Sequence, residues 1–261
     1  PKILDLPDAF SLYFKRRSET ERPFINRLID FIEIGRLAKA EQVITRFDKT
    51  LVCSVEDQLY LEKLHKTSNV EILLNGVDLE TFDVGVGHDY SHNKVVLFTG
   101  NMDYAPNVDA VQYFVKEMWP VISIANPNTK FIIAGQRPVE GVKRLANDRI
   151  EVTGFIPDLK DMYAQASVVI APLRFGAGTQ NKVLEAMAMG VPTVCTHIGF
   201  EGLQIQSGQG VIMAKDKDVF IVQVNTLLAD ATERSKVGEQ GLEIAKSRFS
   251  WDRIALQLEA Y

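Results

Sequence analysis

The chain has only two cysteines in 261 residues, Cys53 and Cys195. Each sits inside an apolar run, so both read as small buried hydrophobes in a reducing compartment, and a disulfide scaffold is excluded. The sequence lacks any apolar run of about 18 residues, which excludes a transmembrane helix. It has no signal-peptide pattern. Glycine (17) and proline (10) are too sparse for a collagen-like or low-complexity chain. The four histidines, His65, His88, His92 and His197, offer no metal-ligand set. Positive charge is also short: 29 Lys and Arg against 34 Asp and Glu give a net charge of −5. Non-specific nucleic-acid binding is therefore not expected. What is present is a globular balance, 46% hydrophobic and 24% charged, long enough to bury a core without staples. The sequence begins at Pro1 without Met, and we expect a fragment or a processed product.

From about residue 94 one pattern recurs: a β-branched run, a Gly or Pro break, then a helical stretch. The runs are 94–100, 129–135, 149–154, 166–173, 191–196 and 210–214. Near-continuous apolar runs of this length read as strands buried on both faces. Helices are predicted over 107–118, 138–146, 158–165, 180–189, 218–229 and 232–248, with Asn107 capping the first and Ser250 opening a last helix to Tyr261. Strand–helix–strand spacing of this kind gives right-handed crossovers and an α/β, doubly wound parallel sheet.

The first 75 residues read as the end of another α/β domain. Strands are predicted at 2–6, 50–54 and 70–74, with a long helical stretch from Phe24 to about Phe47. Ile25, Leu28, Ile29 and Ile32 form an apolar stripe on that stretch. Arg22, Arg27, Arg36 and Lys39 beside the stripe suit peripheral membrane association. Asp30, Glu33 and Glu41 interrupt the pattern and favour a core-packed helix. Residues 81–93 read as linker. The expected division is 1–75, 76–249 and 250–261, the last a helix returning to the N-terminal part.

The segment from Ala171 to Thr196 carries the chemistry. A strand ends at Pro172–Leu173, a loop holds Gly176 and Gly178, and a helix opens near Thr179. Free N–H groups there, with the positive end of the helix dipole, favour a phosphate. Lys182 and Glu185 are three apart and share a helix face; lysine can neutralise a phosphate and glutamate can accept from a ribose diol. The plainer alternative is a tight strand–helix turn with a surface Lys–Glu pair. The loop is neither a P-loop nor the dinucleotide fingerprint, whose spacings it lacks.

The stretch RFGAGTQNKVLEAMAMGVPTV (174–194) resembles the signature of retaining, nucleotide-sugar-dependent glycosyltransferases of the GT-B fold, family 4. NGVDLETF (75–82), RIEVTGFIPDLKDMYAQASVVIAPL (149–173) and TGNMDYAPNVDAVQYF (99–114) resemble further segments of that family in its own order, the last a subgroup making exopolysaccharides. The resemblance implies two Rossmann-like domains facing across a cleft, a Rossmann-like donor domain here being joined to the remnant of an N-terminal one. It implies that Glu185 binds the ribose hydroxyls and that Lys182 lies near the phosphates. Gly176, Ala177, Gly178 and Thr179 would line the donor sugar and diphosphate, Gly154, Phe155 and Ile156 would bracket the base, and Gly100 and Asn101 would form the turn after the first donor strand.

Two departures stand out. The family's first glutamate falls on Ala177, and the turn at Gly100-Asn101-Met102-Asp103 offers no basic residue. Arg174 is then the candidate to balance diphosphate charge, and Lys182 and Arg174 are the candidate catalytic residues. Asp103 and Glu201 are candidates for sugar hydroxyls; His197 reads as a loop residue. The resemblance implies transfer from a UDP- or GDP-sugar to a glycan or lipid-linked acceptor, with no cofactor and no metal, in the cytoplasm or at the inner face of a membrane. With part of the N-terminal domain absent, weak transfer is expected. A non-catalytic GT-B relative and a sugar-nucleotide epimerase remain as alternatives.

Overall fold

In the computed structural model, which describes residues 2–21, 23–85, 87–91 and 94–261, the strands form two parallel sheets. The smaller holds β1 (Ile3–Asp5), β2 (Lys49–Val52) and β3 (Val70–Ile72) in that order. The larger holds β4 (Val95–Thr99), β5 (Lys130–Ala134), β6 (Ile150–Gly154), β7 (Val168–Ala171), β8 (Thr193–Cys195) and β9 (Val211–Met213), ordered β6-β5-β4-β7-β8-β9. Every strand pair in both sheets is parallel. The α/β class with parallel sheets is as the sequence pattern indicates.

The apolar runs are continuous because the larger sheet is buried on both faces. Val96, Phe98, Phe131 and Ile170 point into one core with Phe114 and Phe220. Their neighbours Leu97, Ile132 and Val169 point into the other with Tyr163, Ala186 and Met189. Phe114 and Phe131 meet with ring centroids 4.8 Å apart. Truncating a buried Phe of this kind costs about 3–5 kcal/mol.

The helices of the smaller sheet are α1 (Phe10–Ser18), α2 (Phe24–Glu41) and α3 (Val55–His65). Those of the larger are α4 (Ala105–Glu117), α5 (Trp119–Ala125), α6 (Glu140–Lys143), α7 (Lys160–Ala164), α8 (Asn181–Ala188), α9 (His197–Phe200), α10 (Lys217–Ala229) and α11 (Ala231–Arg248), followed by α12 (Trp251–Glu259). Ser250 caps α12 by accepting from the Arg253 amide. The tail then lies on the smaller sheet: Gln257 Nε2 and the Tyr261 hydroxyl both donate to the Ile72 carbonyl, at 2.8 and 2.7 Å.

Three local expectations are corrected and one helix is added. Helix α4 opens at Tyr104 with Pro106 in its first turn, so Asn107 lies inside the helix and its side chain is free for another task. Helix α1 carried no signal: Ala9 at its N-cap has no capping side chain. Residues within 81–91 are partly docked, with Phe82 against Tyr163 and the Tyr90 hydroxyl donating to the Gly190 carbonyl at 2.7 Å. Finally, α2 is not packed by its apolar stripe. Phe24 is 80% and Phe31 73% exposed, while Asp30 and Glu41 are buried. Arg22 and His92 lie outside the described residues.

Candidate functional site

The strand order reverses at β4, whose neighbours are β5 on one side and β7 on the other. Loops leaving those carboxyl ends diverge and leave a crevice, the usual place for a ligand in an open α/β sheet. Here the crevice is closed from above by the carboxyl edge of the smaller sheet. The resulting cleft is about 330 Å³. Its floor is Thr99, Gly100 and Asn107 on the β4 side and Ala177, Thr179, Lys182 and Glu185 on the β7 side; Pro7, Asp8 and Asn75 face them from the smaller sheet.

Helix α8 presents Lys182 and Glu185 to this cleft. Lys182 Nζ donates to Asn107 Oδ1 at 3.1 Å and lies 5.1 Å from the Phe98 ring centroid. Burial lowers the Lys182 ammonium to about 8, only partly offset by the charge of Glu185. Asn107 Nδ2 in turn donates to the Asn101 carbonyl at 3.0 Å, tying the turn after β4 to the lysine. Glu185 Oε2 accepts from the Tyr163 hydroxyl at 2.6 Å, and the Tyr163 hydroxyl oxygen is in turn 2.7 Å from Thr99 Oγ1. Burial raises the Glu185 carboxyl above its usual range, against the Tyr163 hydrogen bond and Lys182, which lower it. One oxygen of Glu185 is thus held, leaving the other to accept from a ligand. No side chain caps α8; of its first-turn amides Val183 donates to the Gln180 carbonyl at 2.9 Å, while those of Asn181 and Lys182 precede any acceptor within the helix.

The glycine loop is less free than the sequence suggests. Gly178 has φ +69 and its amide donates to Asp57 Oδ2 at 3.0 Å. The Thr179 amide donates to Cys53 Sγ at 3.2 Å and its hydroxyl to the Cys53 carbonyl at 3.0 Å. Asp8 lies directly over Gly178, so any Cβ there would overlap its carboxylate. Two amides expected to await a phosphate are therefore held by the first turn of α3 and the loop before it. Burial raises the half-buried Asp8 carboxyl to about 6, with the charge of Asp57 adding to the rise.

Comparison with known sequences decides the family. The profile of the family described as Glycosyl transferases group 1 matches residues 93–230, more than half of the chain. The chain belongs to the group 1 glycosyl transferases. It is 23% identical over 231 residues to an uncharacterized 44.6 kDa protein in the cps region of Klebsiella pneumoniae, covering 84% of this chain and 57% of that one. It is 33% identical over 117 residues to the O-antigen chain mannosyltransferase B of Escherichia coli, covering 43% of this chain and 30% of that one. The matches thus span about half or less of these relatives. Among solved structures, Anabaena HepE in complex with UDP and glucose superposes with a TM-score of 0.71 at 16% identity, covering 99% of this chain and 70% of that chain. That likeness establishes the GT-B fold.

The remaining residues singled out from the sequence are dispersed in this group 1 glycosyl transferase. Gly154 (φ +73), exposed Phe155 and partly buried Ile156 form the loop after β6, from which Leu159 reaches the cleft. Arg174 does not line the cleft. It is ion-paired with Asp109 of α4, Nε to Oδ2 at 2.8 Å, and stacks 4.7 Å from the Tyr113 ring. Glu201 is also turned elsewhere: Arg16 of α1 grips it with two hydrogen bonds, at 2.7 and 2.8 Å, and also donates to the Gly176 carbonyl at 2.9 Å. Burial raises Glu201 to about 7, Arg16 opposing and Glu56 and Asp57 adding to the rise. His197 lies 3.4 Å from the same carboxylate. Asp103 pairs with Arg137 at 3.5 Å on the surface, which brings one basic side chain to the turn after β4.

Sequence reasoning missed Asn107 as the holder of Lys182, Tyr163 as the holder of Glu185, and Asp8, Arg16 and Asp57 as the groups facing the glycine loop. Their signal is spatial, because their loops and helices are far apart in sequence. The expectation that no Asp-x-Asp occurs is also corrected: Asp216-Lys217-Asp218 has that spacing, and Asp216 caps α10 by accepting from Val219 at 2.8 Å, away from the cleft. Among the described residues no group of three His, Cys, Asp or Glu is placed to hold a metal. A larger groove of about 780 Å³ runs between residues 88–91 and α11, but the helix N-terminus there is already capped by Asp230.

Proposed function

We propose that the cleft between the two sheets binds a nucleoside-diphosphate sugar, and that the protein transfers its sugar to a glycan or lipid-linked acceptor in polysaccharide biosynthesis. The observation that carries this reading is the pairing of Lys182 and Glu185 on the face of α8 that opens into the cleft. The free oxygen of Glu185 suits the two hydroxyls of a ribose, since a carboxylate accepts both. Lys182 and the uncapped first turn of α8 suit the diphosphate. The sugar then extends toward Ala177 and Gly178, beneath Asp8.

In this reading the leaving diphosphate gains charge as the glycosidic bond loosens, and Lys182 with the α8 dipole stabilises it electrostatically. The bound anion restores a proton to Lys182, which burial otherwise tends to remove. Arg174, held by Asp109, is left as a positioning residue outside the cleft; Gly154, Phe155 and Ile156 are proposed to bracket the base. Transfer with retention of configuration and a UDP- or GDP-sugar donor is part of the proposal, as is weak transfer by this chain alone. The O-antigen mannosyltransferase relative and the HepE complex with UDP and glucose support the substrate class.

The test is product analysis with UDP- and GDP-sugars and a glycan acceptor, the anomeric configuration being read by NMR. A glycoside of the donor's own configuration supports the reading. Interconverted sugar nucleotide without transfer would assign an epimerase. Ala177 and the Asp57 contact to Gly178 favour a second reading, a non-catalytic relative, which would bind nucleotide and give neither product.

A further inference from the structure

Helix α2 is built inside out. At about 100° per residue, Phe24, Ile25, Leu28, Ile29, Phe31 and Ile32 fall on one arc of about 160°, and all six are exposed. The opposite arc carries the acids. Asp30, 1% exposed, takes the Arg17 guanidinium, with Nε at 3.0 Å. Glu41 is buried against the Ser11 amide at 2.9 Å and the Ser11 hydroxyl. Two of the three acids that argued against surface binding in the sequence, Asp30 and Glu41, therefore face inward, neutralised or hydrogen-bonded.

The outward arc is cationic where it is not apolar. Arg27 flanks it, Arg36 and Lys39 continue it toward the C-terminal end, and all three are exposed. The one acid at its border, Glu33, is already paired with Arg36 at 2.8 Å. Between the end of α1 and α2 lies a hollow of about 310 Å³ lined by Ser18, Phe24, Arg27, Leu28 and Phe31, an apolar recess with one cation at its rim.

We propose that this face of α2 docks on an anionic lipid surface. An apolar arc bounded by Arg and Lys matches acyl chains beneath phosphate headgroups. A second copy of the chain fits less well. Paired antiparallel, Arg27 of one helix meets the Arg36 and Lys39 end of the other; paired parallel, each cation meets itself, and neither arrangement brings an acid to answer it. Docking also sets the cleft close to the bilayer, because Tyr13 of α1, which packs on α2, stacks on the cleft residue Tyr104 with centroids 6.3 Å apart. The inference stands apart from the donor reading, since lipid binding is measured without nucleotide or activity.

The experiment is co-sedimentation of the chain with phosphatidylcholine vesicles, with and without phosphatidylglycerol, at low and high salt. The variants are Phe24→Ser with Phe31→Ser, and Arg27→Glu with Lys39→Glu. The wild-type chain pellets with the anionic vesicles only, and less at high salt. The double Phe variant loses pelleting, and affinity falls about fivefold or more for each cation replaced. Melting temperatures of both variants stay at the wild-type value, because every replaced side chain is exposed. Equal binding to both vesicle types, or binding untouched by either variant, overturns the proposal. A wild-type dimer in analytical ultracentrifugation that becomes monomeric in the Phe variant also overturns it, assigning the face to a second copy.

Discussion

Replacing Glu185 by Gln separates binding from folding. The carboxylate accepts one hydrogen bond from Tyr163 and is buried enough that its ionised form is disfavoured in the folded chain. A raised carboxyl contributes a penalty that grows as pH rises through its folded value, so at neutral pH the amide removes a desolvation cost. Tyr163 keeps Thr99 as a partner. The melting temperature of Glu185→Gln is therefore expected at or above that of the wild type. Affinity for the preferred nucleoside diphosphate moves the other way. Hydrogen bonds to a charged group contribute about 1.5–3 kcal/mol, so losing the carboxylate under the ribose weakens binding about 10- to 150-fold. Isothermal titration calorimetry with the nucleotide and its 2′,3′-dideoxy analogue isolates the contact. The analogue should bind the wild type as weakly as the ribonucleotide binds the variant, and the variant should no longer tell the two apart. If Glu185→Gln weakens both ligands equally, the ribose assignment is refuted.

Other outcomes follow from the same geometry. Lys182, lowered to about 8 by burial, is charged below that value and neutral above it. Nucleotide affinity should fall as pH rises through about 8, with proton uptake on binding seen by calorimetry in two buffers of different ionisation enthalpy, and Lys182→Met should abolish that dependence. Arg16→Ala leaves the buried Glu201 without its cation, a change that costs about 3–5 kcal/mol when the charge stays unpaired. Denaturant unfolding should show a smaller deficit below about pH 7, where Glu201 takes up a proton instead. Gly178→Ala meets both the φ of +69 and the Asp8 carboxylate. A loss of more than about 1 kcal/mol is expected, partly restored by adding Asp8→Ala, which opens the space.

The larger sheet was legible because its strands are buried on both faces. Runs such as Val95–Thr99 and Val168–Ala171 have no polar alternation and are punctuated by glycine or proline. Lys182 and Glu185 were legible because helical spacing alone puts them on one face. What was not legible depends on contacts between distant segments. The amides of Gly178 and Thr179 look free in a glycine loop, but Asp57 of α3 and Cys53 of the loop before it take them. Arg174 looks like a phosphate ligand by its place beside the loop, yet Asp109, 65 residues away, turns it aside. The stripe of α2 has the periodicity of a buried face, and periodicity does not say which face is buried. Asp30 and Glu41 decide it, because Arg17 and Ser11 satisfy them inside.

The central claim is that the cleft between the two sheets, and no other surface, receives the nucleotide. Backbone amide NMR spectra of the labelled chain, titrated in turn with UDP, GDP and ADP, test it directly. The account predicts saturable shifts with one of the three, centred on the first turn of α8, the turn at Gly100 and the loop at Gly154–Ile156, and absent in Glu185→Gln at the same concentration. Shifts centred on residues 88–91 and α11, or no shift with any nucleotide, would contradict it.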